Sequence, residues 1–191
     1  MTRRGYGRMR RGLLLAAFVS PALLPACNQR AIESWLSQSA EAEPSLYSDG
    51  GFARALTELR KHVPSPIEAL SLLVYSDRLV LQARDPAARN NVMQYIVRNG
   101  RATDPIPVKL IGTGKLDDNL FPFDAAKVDA IPRLVREAQS KANIPEGNVV
   151  RVLLKRNLPE SMDIQFRVFV TSQRRDAYFD ADQQGNLLTP P

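Results

Sequence analysis

Cysteine and histidine each occur once in the 191 residues, as Cys27 and His62. A single thiol excludes an internal disulfide framework and a multi-cysteine metal site. A single imidazole leaves little from which to build zinc coordination or a Ser-His-Asp site, and no serine lies in a Gly-x-Ser-x-Gly setting. Long apolar runs are missing as well: none reaches the roughly 18–20 residues of a membrane span. Acids are the scarcer charge, 20 Asp and Glu against 26 Lys and Arg, for a formal net charge of +6. Hydrophobic residues make up 44%, too many for a disordered chain, so the expectation is one body of one or two small domains.

The basic excess, which by itself points to nucleic acid, is confined to one end. Residues 1–26 hold Arg3, Arg4, Arg8, Arg10 and Arg11 and no acid, followed by the apolar stretch Leu13 to Val19 that runs on to Leu23-Leu24. A positive start, a short apolar centre and small residues before a cut form a secretory signal. Its end, Leu24-Pro25-Ala26-Cys27, resembles the lipobox of bacterial lipoproteins, with leucine three before the cysteine and a small residue directly before it. The resemblance implies that Cys27 is alkylated by a diacylglycerol and becomes the lipid-attachment residue, held in the bilayer by several acyl chains, since one anchors only marginally. Asn28 in place of aspartate after the cysteine implies, by resemblance to Gram-negative sorting, the outer membrane and a periplasm-facing body. A plain secretory signal with a fortuitous cysteine and an uncleaved anchor remain alternatives. Without residues 1–26 the chain has 21 basic and 20 acidic side chains, a formal +1, and nucleic acid is not an expected partner.

Residues 27–50, with five serines, three glutamates and Pro44, read as a tether, with Trp35 on a short amphipathic turn. An internal repeat follows. Phe52, Leu56, Leu59 and Val63 recur at helical spacing after the cap Ser48-Asp49, giving a helix over 51–63 stopped by Pro64 and Pro66. Three strands are expected next: 69–75 with Leu70, Leu72 and Val74 inward, 78–84, and 92–98, with a further edge strand over 105–111 limited by its prolines. The second half repeats the order. Ile131, Leu134, Val135, Ala138 and Ala142 mark a helix with Asp129 as cap and Pro132 in its first turn. Strands 149–156 (Val150, Val152 and Leu154 inward), 163–171 and 176–182 follow, the last turning at Gln184-Gly185-Asn186 toward Leu187-Leu188. The predicted fold is α+β: a first module over 51–112, a linker over 113–128 and a second module over 129–191, each a helix packed on a three- to four-stranded antiparallel sheet.

The second half, ending in Tyr178-Phe179-Asp180-Ala181-Asp182-Gln183-Gln184-Gly185-Asn186-Leu187, resembles a PepSY-type or beta-lactamase-inhibitor-like module; the first half fits more loosely, with Tyr95 to Arg101 in place of that ending. The resemblance covers about 130 residues as a pattern. It implies binding or inhibition in the cell envelope, and it supplies no catalytic residue.

The remaining motifs have plain readings beside their chemical ones. His62 sits near a helix end, where a cation suits the dipole. Gly112-Thr113-Gly114-Lys115 departs from the P-loop at Lys109 and at the leucine after Lys115, and reads as a linker turn. Asp180, Asp182, Gln184 and Gly185 begin a calcium-loop pattern whose twelfth position is Pro191 instead of glutamate, so a hairpin turn with solvated acids is expected. Asp117-Asp118 reads as a loop cap. No metal and no cofactor is expected.

Alternation leaves Arg78, Gln82, Arg84, Arg151, Lys155, Gln165 and Arg167 outward, with Phe169 beside Arg167. If the halves' sheets join, these form one polar, basic face. Arg78, Arg84, Arg151, Lys155, Arg167 and Phe169 are the candidate binding residues, suited to an acidic protein loop or an anionic lipid or glycan; a merely solvated face is the alternative. The expected protein is a non-enzymatic binding or assembly module with an envelope protein partner, anchored to the membrane through Cys27. Two rivals stay open: a periplasmic inhibitor or immunity-type protein that blocks a secreted enzyme or toxin, and an envelope enzyme in which Asp117, Asp118 or Asp180 converge in a pocket.

Overall fold

The computed structural model describes residues 44–112 and 114–188. Cys27 with its lipobox, Asn28, Trp35, most of the expected tether, Thr113 and Pro191 lie outside the described residues.

Helix α1 spans Asp49–His62. Ser48 starts it by accepting a hydrogen bond from the Gly51 N–H at 3.1 Å while its own hydroxyl donates to the Ser45 carbonyl at 2.7 Å. Gly51 is required there, because a Cβ at this position would stand 2.3 Å from the Ser45 oxygen. Asp49 in the first turn and Arg60, Lys61 and His62 in the last complement the helix dipole. Phe52, Ala55, Leu56 and Leu59 face the core. The chain before α1 already belongs to the body: Leu46 is buried and its N–H donates to the Ser76 carbonyl at 2.9 Å.

Strands β1 (Glu68–Val74), β2 (Arg78–Asp85) and β3 (Ala88–Arg98) follow, and β3 is flanked by the two-residue strands β4 (Arg101–Ala102) and β5 (Ile106–Pro107). The edge strand expected over 105–111 is thus only β5, paired with β3 through Met93 and Gln94. A four-residue helix α2 (Leu116–Asn119) and β6 (Phe121–Pro122) lead to α3 (Ile131–Ala142). After α3 come β7 (Asn148–Arg156), β8 (Ile164–Thr171) and β9 (Asp176–Ala181).

Helix α3 buries Ile131, Leu134, Val135, Ala138 and Ala142 and ends at Asn143 in the left-handed conformation, φ 45°. Asp129 does not cap it. That residue lies in a 3-10 turn, Val128–Ala130, which runs directly into the helix, so the position that would need a capping side chain is taken by helical backbone at Ala130. Pro132 occupies the first turn as expected.

The strands of the described residues form one antiparallel sheet of nine in the order β4-β3-β2-β1-β7-β8-β9, with β5 on β3 and β6 on β1. The two halves meet where β1 pairs with β7, Leu72 opposite Leu154 and Val74 opposite Val152. All four of these side chains are fully buried on the helix side. Helix α1 packs on β3 and β4, and α3 on β7, β8 and β9, over one continuous core. The segment between the halves contributes to that core through Phe121, Phe123 and Val128. Among the described residues no helix is long and apolar enough to cross a membrane.

Two expected inward positions are displaced by bulges. The β1–β2 register shifts between Ala69 and Ser71, so Ala69 is buried and Leu70 stands off the core face. The β7–β8 register shifts between Val149 and Arg151, leaving Val150 42% exposed.

Candidate functional site: the open face of the sheet

Because both helices cover the same side, the other face of the sheet carries no described element over its centre. Parity then decides what it displays. Leu79, Leu81 and Ala83 on β2 are buried, so Arg78, Val80, Gln82 and Arg84 point the other way. Val152 and Leu154 on β7 are buried, so Arg151, Leu153 and Lys155 are turned outward; on β8 the same holds for Gln165, Arg167 and Phe169. The structure therefore brings all six expected binding residues onto one face.

Three rows cross this face. The register sets Ile96 opposite Val80, Leu73 opposite both Val80 and Leu153, and Leu153 opposite Arg167. This central row is apolar and recessed: Val80 is only 8% exposed, and Leu73, Ile96 and Leu153 are half-buried. On one side runs an amide ladder in which the Ser71 hydroxyl donates to Gln82 and the Gln82 amide to Gln94, each at 3.3 Å. On the other side run the rings of Tyr75, Phe169 and Tyr178, each with an arginine over it, Arg167 reaching across from the end of the central row. Arg78 covers Tyr75 at 3.8 Å, Arg151 covers Phe169 at 4.4 Å and Arg167 covers Tyr178 at 4.5 Å. Phe169, expected beside Arg167, pairs instead with Arg151, which the β7–β8 register sets directly opposite it.

The arginines differ in what neutralises them. Arg84 is 8% exposed as a side chain and braces three segments: it donates to the Arg89 carbonyl at 2.8 Å, pairs with Asp117 of α2, and brings Nε to 3.0 Å from Glu68. That last N–H is not aimed at the carboxylate, so Nε makes an ion pair there without a hydrogen bond. Arg78 and Arg98 share Asp77, whose carboxyl they hold below the usual carboxylate range, Arg98 by its hydrogen bond first. Asp117 is lowered in the same way by Arg84. Arg167 is bound by both oxygens of Asp180, at 2.7 and 2.9 Å, and its pKa rises from that hydrogen bond.

Arg151 and Lys155 have no carboxylate partner among the described residues, and the Arg151 Nε is shielded from water with no acceptor. Beside them, Leu153, Lys155, Glu160, Gln165, Arg167 and Asp180 are among the residues that line a groove of about 460 Å³ at the β7–β8 loop. Sequence reasoning missed Tyr75, Tyr178 and the apolar row. Leu73 and Leu153 were readable by parity from their buried neighbours; their meeting required the β1–β7 register.

The other candidates are engaged elsewhere. His62 Nδ1 lies 3.0 Å from the Glu58 carbonyl on α1. Asp117 is held by Arg84 and Asp180 by Arg167, so each acid serves its own cation. The expected solvated acids of the last hairpin are in fact bonded. Asp182 accepts from the backbone N–H groups of Gln184 and Asn186, both at 2.9 Å, and from the Asn186 amide at 3.0 Å, which lowers its pKa. Gly185, at φ +78°, closes this turn where a Cβ would stand 2.5 Å from that of Ala130, and its carbonyl accepts from Arg133 at 2.7 Å. Among the described residues no cluster of three or more His, Cys, Asp or Glu could hold a metal ion.

Fold and site define an α+β chain with a one-side-covered antiparallel sheet and an arginine-aromatic open face. No family model matches the chain, and no curated protein matches it. A crystal structure of a candidate lipoprotein from Clostridium difficile 630 is similar to it over 78% of this chain and 97% of that one, at 13% identity and a TM-score of 0.45.

Proposed function

We propose that the protein is a lipid-anchored, non-enzymatic binding or assembly module of the cell envelope, attached through Cys27, facing the periplasm, and docking a partner protein on the open face of its sheet. The observation that carries this reading is the open face: a recessed apolar row flanked by arginine-aromatic stacks, left uncovered by both helices. Solvated antiparallel faces are ordinarily polar throughout, whereas an apolar centre with aromatic and arginine neighbours has the composition of a contact surface. Each half supplies one long helix and three long strands in the same order, which supports a tandem origin of the PepSY-like kind. For the anchor the support is the sequence Leu24-Pro25-Ala26-Cys27-Asn28.

Two measurements test the reading. In fractionated cells the wild type is expected in the membrane pellet and the Cys27→Ala variant in the soluble fraction; equal distribution overturns the anchor. A photo-crosslinking residue at Leu153 is expected to capture a defined envelope protein, and one at the exposed Lys141 of α3 is not. Equal capture from both positions overturns the docking face.

A further inference from the structure

We infer that the partner docks through acidic side chains flanking an apolar one, and that Arg151 and Lys155 of β7 are the residues that read them. The inference rests on the docking role of the open face and adds to it the chemistry of the partner.

The charge distribution on the face carries it. On β2 and β3 the cations Arg78, Arg84 and Arg98 are already matched by Asp77, Glu68 and Asp117. An approaching carboxylate gains little there, because it must displace an acid of the chain itself. On β8, Arg167 is held by both oxygens of Asp180. Arg151 and Lys155 remain without a carboxylate among the described residues, and Leu153 stands between them on the same face of the same strand. The two cations are four positions apart on the strand, about 13 Å at roughly 3.3 Å per residue. The Arg151 guanidinium carbon lies over Phe169, 4.4 Å from the ring centre, a contact that restrains it before any partner arrives. A preset fork loses little freedom on binding a carboxylate.

The same observations decide between occupants. A second copy of the chain would oppose this face with an identical excess of cations, which is repulsive. Anionic membrane surfaces are held by clusters of about 4–8 Lys and Arg, whereas β7 and β8 offer two on this face, Arg151 and Lys155, without a carboxylate among the described residues. A flat lipid surface would also miss the central row, since Val80 at 8% exposure lies below its neighbours. A protein segment with a projecting apolar side chain between two acids reaches both the row and the cations.

The test selects a random dodecapeptide display library on the full chain carrying Cys27→Ala, and in parallel on the same chain with Arg151→Glu and Lys155→Glu. Peptides from the first selection are expected to be enriched in Asp and Glu on either side of Leu, Ile or Phe, and to bind the doubly reversed chain at least about tenfold more weakly. A control with Arg174→Glu and Arg175→Glu, the same charge change in the β8–β9 loop, is expected to bind them as the parent does. Should the reversed chain not give the parent's circular-dichroism melt, Arg151→Gln with Lys155→Gln replaces it. No acidic enrichment, or equal binding by parent and reversed chains, overturns the inference. Phosphatidylglycerol vesicles that sediment the parent but not the reversed chain overturn it in favour of lipid. A Leu153→Asp variant separates the two levels: peptides lost on it but indifferent to Arg151 and Lys155 refute the acidic partner and leave the docking face standing, whereas peptides indifferent to all three refute both.

Discussion

The two arms of the sheet are built alike on the core side and differently on the open side. Strands β1–β3 and β7–β9 each present alternating residues to one helix, and their inner faces merge at Leu72, Val74, Val152 and Leu154. On the open side of the first arm Arg78, Arg84 and Arg98 are matched by Asp77 from the β1–β2 turn, Glu68 from β1 and Asp117 from the connecting segment, and Arg101 at the β4 edge is the exposed exception among the described residues. The second arm has Asp180 for Arg167 and, among the described residues, no carboxylate for Arg151 or Lys155. Paired surface ions contribute little to stability, so the first arm's carboxylates are better understood as setting where an anion can bind. A sheet face on which most cations are paired can in this way carry a directed basic site: the specificity lies in which cations are left unmatched.

The strongest challenge to treating the arms as one frame is to cut their joint. Leu154→Ala removes a fully buried side chain opposite Leu72 and is expected to cost about 2–5 kcal/mol. Urea unfolding followed by tryptophan-independent circular dichroism should show a single transition at lower midpoint. Two separated transitions would mean that the arms fold as independent modules and that the shared sheet is a weak contact.

A smaller effect tests the charge contrast within the second arm. Asp180→Ala leaves Arg167 stacked on Tyr178 without its two carboxylate bonds. Because Arg167 is 39% exposed as a side chain, water takes up part of the loss, and about 1 kcal/mol is expected. The change adds a third unmatched cation, so a peptide selected on the parent should bind more tightly by fluorescence anisotropy. Weaker binding would show that Asp180 itself contacts the partner.

This contrast is also where sequence and structure part company. Alternation along β2, β7 and β8 was enough to turn Arg78 and Arg84 outward in the first half and Arg151, Lys155, Arg167 and Phe169 outward in the second, because a half-buried strand has a period of two and one buried set fixes the other; that the two sets share one side follows from the β1–β7 joint. The helices were legible from their apolar spacing and from Ser48. Bulges were not: Leu70 and Val150 fit an unbroken alternation, and only the cross-strand register reveals the extra residue. Nor was pairing legible. Arg84 and Asp117 are 33 residues apart, and no local pattern joins them, so the sequence shows five equivalent cations where the folded chain has two, Arg151 and Lys155, without a counter-charge among the described residues. Asp129 looked like a cap because it precedes an apolar-periodic stretch; the 3-10 turn that absorbs it depends on Val128 packing into the shared core.

The smallest expected effect makes the first arm resemble the second. Hydrogen bonding from Arg98, with Arg78 close by, lowers the Asp77 pKa in the folded chain below its ordinary value of 3.8. A depressed carboxylate contributes stability that is fully present above the unfolded pKa and is lost as pH falls through the folded one. Both Asp77 and Arg98 are largely solvated, so the contribution is well under about 1 kcal/mol after screening. Urea midpoints of the parent and of Asp77→Asn should therefore differ slightly near neutral pH and converge below about pH 3.8, while high salt narrows the gap at neutral pH. In binding, Asp77→Asn should release Arg78 and Arg98 and let the first arm take up acidic peptide at neutral pH, a second, weaker site seen as a stoichiometry above one. A variant that keeps a single site would mean that Arg78, held on Tyr75 at 3.8 Å, is positioned for that ring and not for an incoming acid.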